Sequence, residues 1–276
     1  MSLESTAGVQ SEAMYQQRSA CGVAFGLADF TETTGRSVQR LEPSQPRLKI
    51  LIAQQDIALG GLREVLTTHK AFVVGPSCPP LRSMHDGTLS CLEIDLPPWA
   101  GTAVFGEPGH DGPLALSDLI GSAADALAEQ LSAAADAPAR LALAERFVAR
   151  RLEAGAQRIC PEIRWAWDRL QDGGGRNSIR ALADDIGWSG RHFGQRFAQQ
   201  TGLLPKTALR MMRFDRACRL VEQTQQPLAD IAFACGYADQ SHMTREFLAF
   251  AARPPDAHRK ARLSDLPGTS PAPAPA

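Results

Sequence analysis

No apolar run in this sequence is longer than a few residues, so nothing in it matches the ~20-residue stretch that crosses a bilayer as a helix. The opening residues, MSLESTAGVQSEAMYQQR, have no basic patch followed by an apolar block, so no export signal is expected. The six cysteines (Cys21, Cys78, Cys91, Cys160, Cys218 and Cys235) include no C-x-x-C pair, and no histidine stands near them at zinc-finger spacing. Reduced thiols and the cytoplasm are therefore the expected state and place. His69, His85 and His110 are scattered. There is no glycine-rich phosphate loop, no Gly-x-Ser-x-Gly elbow and no Cys/His nucleophile arrangement. A membrane protein, a fibrous protein and a small disulfide scaffold are excluded. No metal, no cofactor and no catalytic residue is expected.

What is present is a chain of 276 residues, 44% hydrophobic and 21% charged, as in a globular protein of about two domains at ~150 residues each. Its net charge of −1 hides an asymmetry. Residues 1–155 hold 12 Lys+Arg against 18 Asp+Glu, and residues 156–276 hold 17 against 12. The basic half has only Lys206 and Lys260 as lysines. Arginine suits planar, bidentate recognition of phosphate and guanine, so this half is the one expected to meet a polyanion.

Residues 1–46 read as a partly ordered leader with one apolar patch at Cys21–Leu27. Residues 47–112 read as a β-rich domain. Leu48–Ile52, Ala71–Val74, Thr88–Ile94 and Ala103–Phe105 are short candidate strands, separated by Gly60-Gly61, Gly75-Pro76, Asp86-Gly87 and Pro97-Pro98. Residues 113–157 form a helical connector. Ser117 is the candidate cap of a helix running to Leu131, and a break at Asp136–Pro138 precedes a second helix. Such a pair covers a sheet or forms a dimer surface. Residues 158–262 read as wholly helical, and the Pro/Ala-rich tail 263–276 as disordered. The fold class expected is α+β: a small β-rich N-terminal domain, a helical connector and an all-α C-terminal domain.

The basic half contains an internal repeat. ADDIGWSGRHFGQRF (183–197) and AFACGYADQSHMTREF (232–247) both run Ala-x-x-x-Gly-aromatic, a short polar stretch, then a helix closing on Phe. Ala183 and Ala232 are small where two helices approach. Gly187 and Gly236 stand where a helix ends at positive φ. Trp188 and Tyr237 fill the angle between helices, Ser189 and Asp239 can cap the second helix, and Phe193/Phe197 and Met243/Phe247 face the core. That is a helix-turn-helix written twice, a unit whose second helix enters the major groove. Removing core positions leaves Arg191 and Gln195 exposed in one copy, and Gln240, Ser241, Thr244 and Arg245 in the other. These types read base edges: Arg on guanine, Gln on adenine, the Thr methyl on thymine. Between the copies, Arg210, Arg213, Arg216 and Arg219 recur along one continuous helix, which would hold the units for successive groove faces about 34 Å apart.

Residues 163–262 resemble the DNA-binding domain of the AraC/XylS family of bacterial transcription regulators. The likeness lies in Leu182-Ala183, Gly187, Arg191-His192-Phe193, Phe197, Thr201-Gly202, Pro205, Arg213, Arg216-Ala217, Ile231-Ala232, Gly236-Tyr237, Asp239 through His242, Arg245, Phe247, Pro255 and Arg259. The sequence departs from that pattern at Ala252, where glycine is usual, at His258 and Ala208, where aromatics are usual, and at Gly194, where a base-reading side chain often projects. Ala71–Pro76, His85-Asp86-Gly87 and the path from Leu114 to Gly121 are similar to the N-terminal domain of a group of these regulators, which implies a β-rich sensing or dimerisation domain.

The resemblance implies double-stranded DNA as partner. Arg191, Gln195, Gln240, Ser241, Thr244 and Arg245 are the expected base readers, and Arg196, Arg210 and Arg213 the expected phosphate or structural contacts. RNA polymerase, a small-molecule effector and a second copy of the chain are further candidate partners. The competing readings are an N-terminal enzyme or metal or thiol sensor, with Cys78 or Cys91 as the redox-active group, and an architectural protein that bends DNA without base preference.

Overall fold

The computed structural model describes residues 10–76, 79–107 and 112–264. The expectations for Cys78, His110 and the tail beyond 264 lie outside them. Among the described residues there are eight antiparallel strands, of which the last follows the first helix: β1 (Gln10–Ala20), β2 (Val23–Thr33), β3 (Val38–Glu42), β4 (Leu48–Gly61), β5 (Thr67–Val74), β6 (Leu81–His85), β7 (Thr88–Leu96) and β8 (Pro113–Ala115). They pair in the order β1-β2-β7-β4-β5-β8, with β6 between β3 and the far end of β4. The sheet therefore begins inside the stretch expected to be a leader. The β1–β2 hairpin turns on Cys21 and Gly22 at φ 51° and 70°, which matches a two-residue loop with positive φ at both positions.

Side-chain alternation gives the sheet two faces. Cross-strand register places Leu27, Ile94 and Ile50 in one row, with Leu48 opposite Leu96 and Ile52 opposite Leu92. This apolar face is covered by helices. The other face carries Gly26, Asp95 and Lys49 in one row and Ala28, Glu93 and Leu51 in the next. A bulge between Ile52 and Ile57 bends β4, and its last residues pair with β6 instead of β7. The sheet curls over its polar face as a result. Arg40 of β3 reaches Glu32 of β2 at 2.5 Å, and His85 of β6 lies 3.6 Å from the same carboxylate. Burial lowers the His85 pKa, and its Nδ1 accepts from the Gly87 amide at 3.2 Å.

The helices follow: α1 (Gly101–Phe105), α2 (Leu116–Ile120), α3 (Ala123–Ser132), α4 (Ala137–Gly155), α5 (Pro161–Asp172), α6 (Ile179–Ile186), α7 (Gly190–Thr201), α8 (Pro205–Gln223), α9 (Leu228–Ala234), α10 (Gln240–Ala251) and α11 (Pro255–Ser264). Two local expectations are corrected. Ala103–Phe105 is not a strand but the end of α1, bracketed by Pro98 at the start of a 3-10 turn and by Gly106 at φ 91°. The helix expected from Ser117 to Leu131 is broken into α2 and α3 by Gly121 at φ 59°. Asp136 does cap α4, accepting from the Ala139 amide. α4 lies on β1 and β2, tied by Arg140, which donates to both Asp29 oxygens at 2.5 and 2.8 Å. The connector covers the sheet.

One core runs from the apolar sheet face through α1, α3 and α4 into α5, α6, α7 and the first half of α8. A second, built on Phe214, Val221, Ile231, Met243 and Phe247, holds α9, α10 and the second half of α8. α8 is thus shared by both. Among the described residues no helix is long and apolar enough to cross a membrane.

Candidate nucleic-acid interface

The two repeats fold alike at the turn and at the start of the second helix. α6 ends on Gly187 at φ 79°, with Trp188 N–H donating to the Ala183 carbonyl at 2.9 Å. α9 ends on Gly236 at φ 78°, with Tyr237 N–H donating to Ala232 at 3.0 Å. Both are six-to-one bonds that reverse the chain at a helix C-terminus. Ser189 Oγ then accepts from the His192 amide at 3.2 Å, and Asp239 Oδ1 from the His242 amide at 2.6 Å. The aromatic after each glycine packs edge-on to the histidine of the next helix, Trp188 on His192 and Tyr237 on His242. Phe193, Phe197, Met243 and Phe247 are fully buried, as their spacing requires.

With those residues inward, the opposite faces of α7 and α10 are open. Arg191 and Gln195 are exposed on α7, and Gln240, Ser241 and Arg245 on α10. Thr244 is half-buried and its hydroxyl donates to the Gln240 carbonyl at 3.0 Å, which leaves its methyl as the outward group. Neither helix has an acidic residue in its first turn, and the α7 end is capped by the neutral Ser189, whereas the Asp239 carboxylate sits at the start of α10. Cβ atoms built at Gly190 and Gly194 meet nothing within 4 Å, so the α7 surface is flat at those two positions.

The phosphate assignments divide. Arg196 is exposed, its guanidinium 3.2 Å from the Gln199 side chain and also within reach of Cys160 and Glu162. Arg210 takes a structural contact. It grips the buried Glu246 of α10 through Nε and Nη2 at 2.9–3.2 Å and stacks on Phe250, because a carboxylate on that wall needs a cation beside it. Arg213 also makes a structural contact: Nη1 donates to the Gly236 carbonyl at 3.3 Å, and the guanidinium covers the Tyr237 ring. Arg219 pairs with Asp215 one turn away. Arg210 and Arg213 brace the second unit.

Burial pushes the Cys91, Cys218 and Cys235 thiols up, so all three are packing residues, and the redox role considered for Cys91 is set aside. Among the described residues no group of His, Cys, Asp and Glu could hold a metal ion.

Residues 182–261 match a family described as a helix-turn-helix domain. This region is a helix-turn-helix domain of the AraC/XylS type. It is 32% identical over 83 residues to the HTH-type transcriptional regulator YbfI of Bacillus subtilis, covering 30% of each chain. It is 31% identical over 96 residues to the HTH-type transcriptional activator RhaS of Escherichia coli, covering 35% of this chain and 34% of that one. The matched segment thus spans about a third of the length of these relatives. The two-domain fold as a whole is like that of ToxT from Vibrio cholerae, with a TM-score of 0.50 at 8% identity, over 92% of this chain and 98% of that one.

The departures from the AraC/XylS pattern are accommodated locally. Ala252 still takes the left-handed conformation, φ 53°, at the end of α10. Ala252→Gly should therefore raise stability by about 1 kcal/mol, since an L-residue pays roughly that to sit there. Thermal denaturation checks it, and an unchanged or lower midpoint contradicts it. His258 is buried, with Nε2 2.8 Å from Glu222 and its ring edge-on to Phe247. Sequence reasoning missed Glu246 and Gln200, which are polar, buried and bonded to distant segments. Their position beside core residues of the same helix, Phe247 and Phe197, was the available signal.

Proposed function

We propose that the chain is a sequence-specific, DNA-binding transcription regulator that places α7 and α10 in successive major-groove faces of one duplex. The observation that carries this is the duplication itself: two units with the same turn, a side-chain cap on the second helix of each and the same buried positions, each presenting an open arginine-bearing helix face, joined by one helix. Arg191, Gln195, Gln240, Ser241 and Arg245 read base edges, and the Thr244 methyl meets a thymine methyl. Arg196 contacts phosphate, whereas Arg210 and Arg213 hold the second unit in place.

Selection of bound fragments from the source genome tests the reading and supplies a duplex for titration. On that duplex Arg245→Ala should cost about 1–3 kcal/mol and relax one base preference, while Arg196→Ala should weaken all sequences alike and reduce the salt slope by about one. Equal affinity for selected and random duplexes would instead support an architectural protein.

A further inference from the structure

The acidic first half of the chain ends on a basic stretch. Residues 146–158 carry Arg146, Arg150, Arg151 and Arg158 against Glu153 alone. Arg146 and Arg150 lie on the exposed stripe of α4, where a guanidinium is hydrated and needs no protein partner.

Arg151 is in a different position. It is half-buried one turn before the end of α4, and its Nε is shut off from water with no hydrogen-bond partner. No carboxylate among the described residues bears on it; the charge that does is another cation, Arg158. Burial and that like charge together push its pKa down, the opposite of Arg140, which the Asp29 carboxylate holds up. Arg158 stands seven positions on, about two helical turns along the same side. Its Nη1 donates to the Ala103 carbonyl at 3.4 Å, which places it at the seam between α1 and the end of α4. Gly155, between the two arginines, lies against the same carbonyl.

Two ordinary accounts do not cover Arg151. A helix C-terminus attracts cations within its last turn, but the last turn of α4 holds no basic residue. A structural ion pair needs an acid, as Arg40 has in Glu32, Arg140 in Asp29 and Arg210 in Glu246. Arg213 and Arg253 also have an unpartnered Nε, yet each donates another nitrogen to a backbone carbonyl. A half-buried guanidinium facing only a second guanidinium bears its desolvation with no Coulombic return. A phosphate group supplies that return, because it has enough oxygens to accept from two planar forks at once.

We propose that Arg151 and Arg158 form an oxyanion site that takes a phosphate group at the seam between α1 and the end of α4. The phosphate comes either from a free phosphorylated compound or from the backbone of the bound duplex, and the test separates the two.

The full chain is titrated with sodium phosphate and with sodium chloride at equal pH and ionic strength. The readouts are the Arg151 Nε–H resonance, which burial protects from exchange, and the melting midpoint. Phosphate should shift the resonance saturably and chloride should not. Arg158→Met should weaken phosphate by roughly tenfold or more, the range of a charge-assisted hydrogen bond. Arg150→Met, on the exposed stripe, should leave it unchanged. In chloride alone Arg151→Met should hold the midpoint or raise it, since it removes a charge that no protein group pairs and keeps an apolar stem. A lower midpoint there would make the arginine structural and overturn the site. For a phosphate that belongs to the duplex, the free ion should leave the resonance in place, while Arg151→Met should cut the salt slope on a selected duplex by about one. Equal shifts in both salts, or no phosphate shift together with an unchanged salt slope, also overturn the site. Only the duplex arm rests on the DNA-binding reading. Where no duplex is selected, the free-phosphate arm decides alone, so the two failures remain distinct.

Discussion

Gly236→Val is expected to melt the second helix-turn-helix unit while the first stays folded. Gly236 sits at φ 78°, where a β-branched residue is strained by about 1–3 kcal/mol. Its Cβ would also stand 3.1 Å from the Arg176 Cγ, and the displaced turn would lose the Arg213 bond to the Gly236 carbonyl. The second unit has its own small core, separate from the one that joins the first unit to the sheet, so the damage has a natural boundary. Hydrogen exchange should show α9 and α10 amides losing protection, with α6 and α7 unchanged, and helical ellipticity should fall only in part. Gly187→Val is the control: it has the same positive φ but no atom within 4 Å of the new Cβ, so only the backbone cost applies. Full protection of α10 in the Gly236 variant would contradict the account.

The twin units were legible because everything that defines them is local. A glycine at a helix end, a cap two or three positions on and apolar residues at i and i+4 all fall within one short window. The partners of the arginine row on α8 were not legible, for the complementary reason. Arg210 and Arg213 are bonded to residues 36 and 23 positions away, and helix periodicity says nothing about a carboxylate or carbonyl brought in by another element. The sheet was half legible. The runs within β4, β5 and β7 were visible, but β1 is polar and its turn is Cys-Gly instead of the usual Asn-Gly. Leu92-Glu93-Ile94-Asp95-Leu96 alternates as a strand with one wet face. The bulge in β4 turns that face inward, and no short-range pattern encodes such a closure.

Gly155→Ala should lower the stability of the whole protein by about 3 kcal/mol, against the sign that helix propensity gives. At an open helical position the substitution gains up to ~1 kcal/mol. Gly194→Ala, in α7 with nothing near the new Cβ, should show that gain. At Gly155 the Cβ would overlap the Ala103 carbonyl group, 2.7 Å from both its carbon and the Ala103 Cα, and backbone cannot swing aside as a flexible side chain can. Overpacking of this kind costs roughly 1–3 kcal/mol and occasionally more, so the steric cost exceeds the propensity gain. Pushing α1 also disturbs Thr102, the partner of Gln200 on α7, so the loss passes into the core shared by sheet and first unit. At roughly 2–4 °C per kcal/mol the melting midpoint should fall by about 6–12 °C. Protection should drop in the strands and in α7 together, the reverse of the pattern expected for Gly236→Val, and a midpoint equal to or above that of the parent would show that α1 and α4 are not in contact as described.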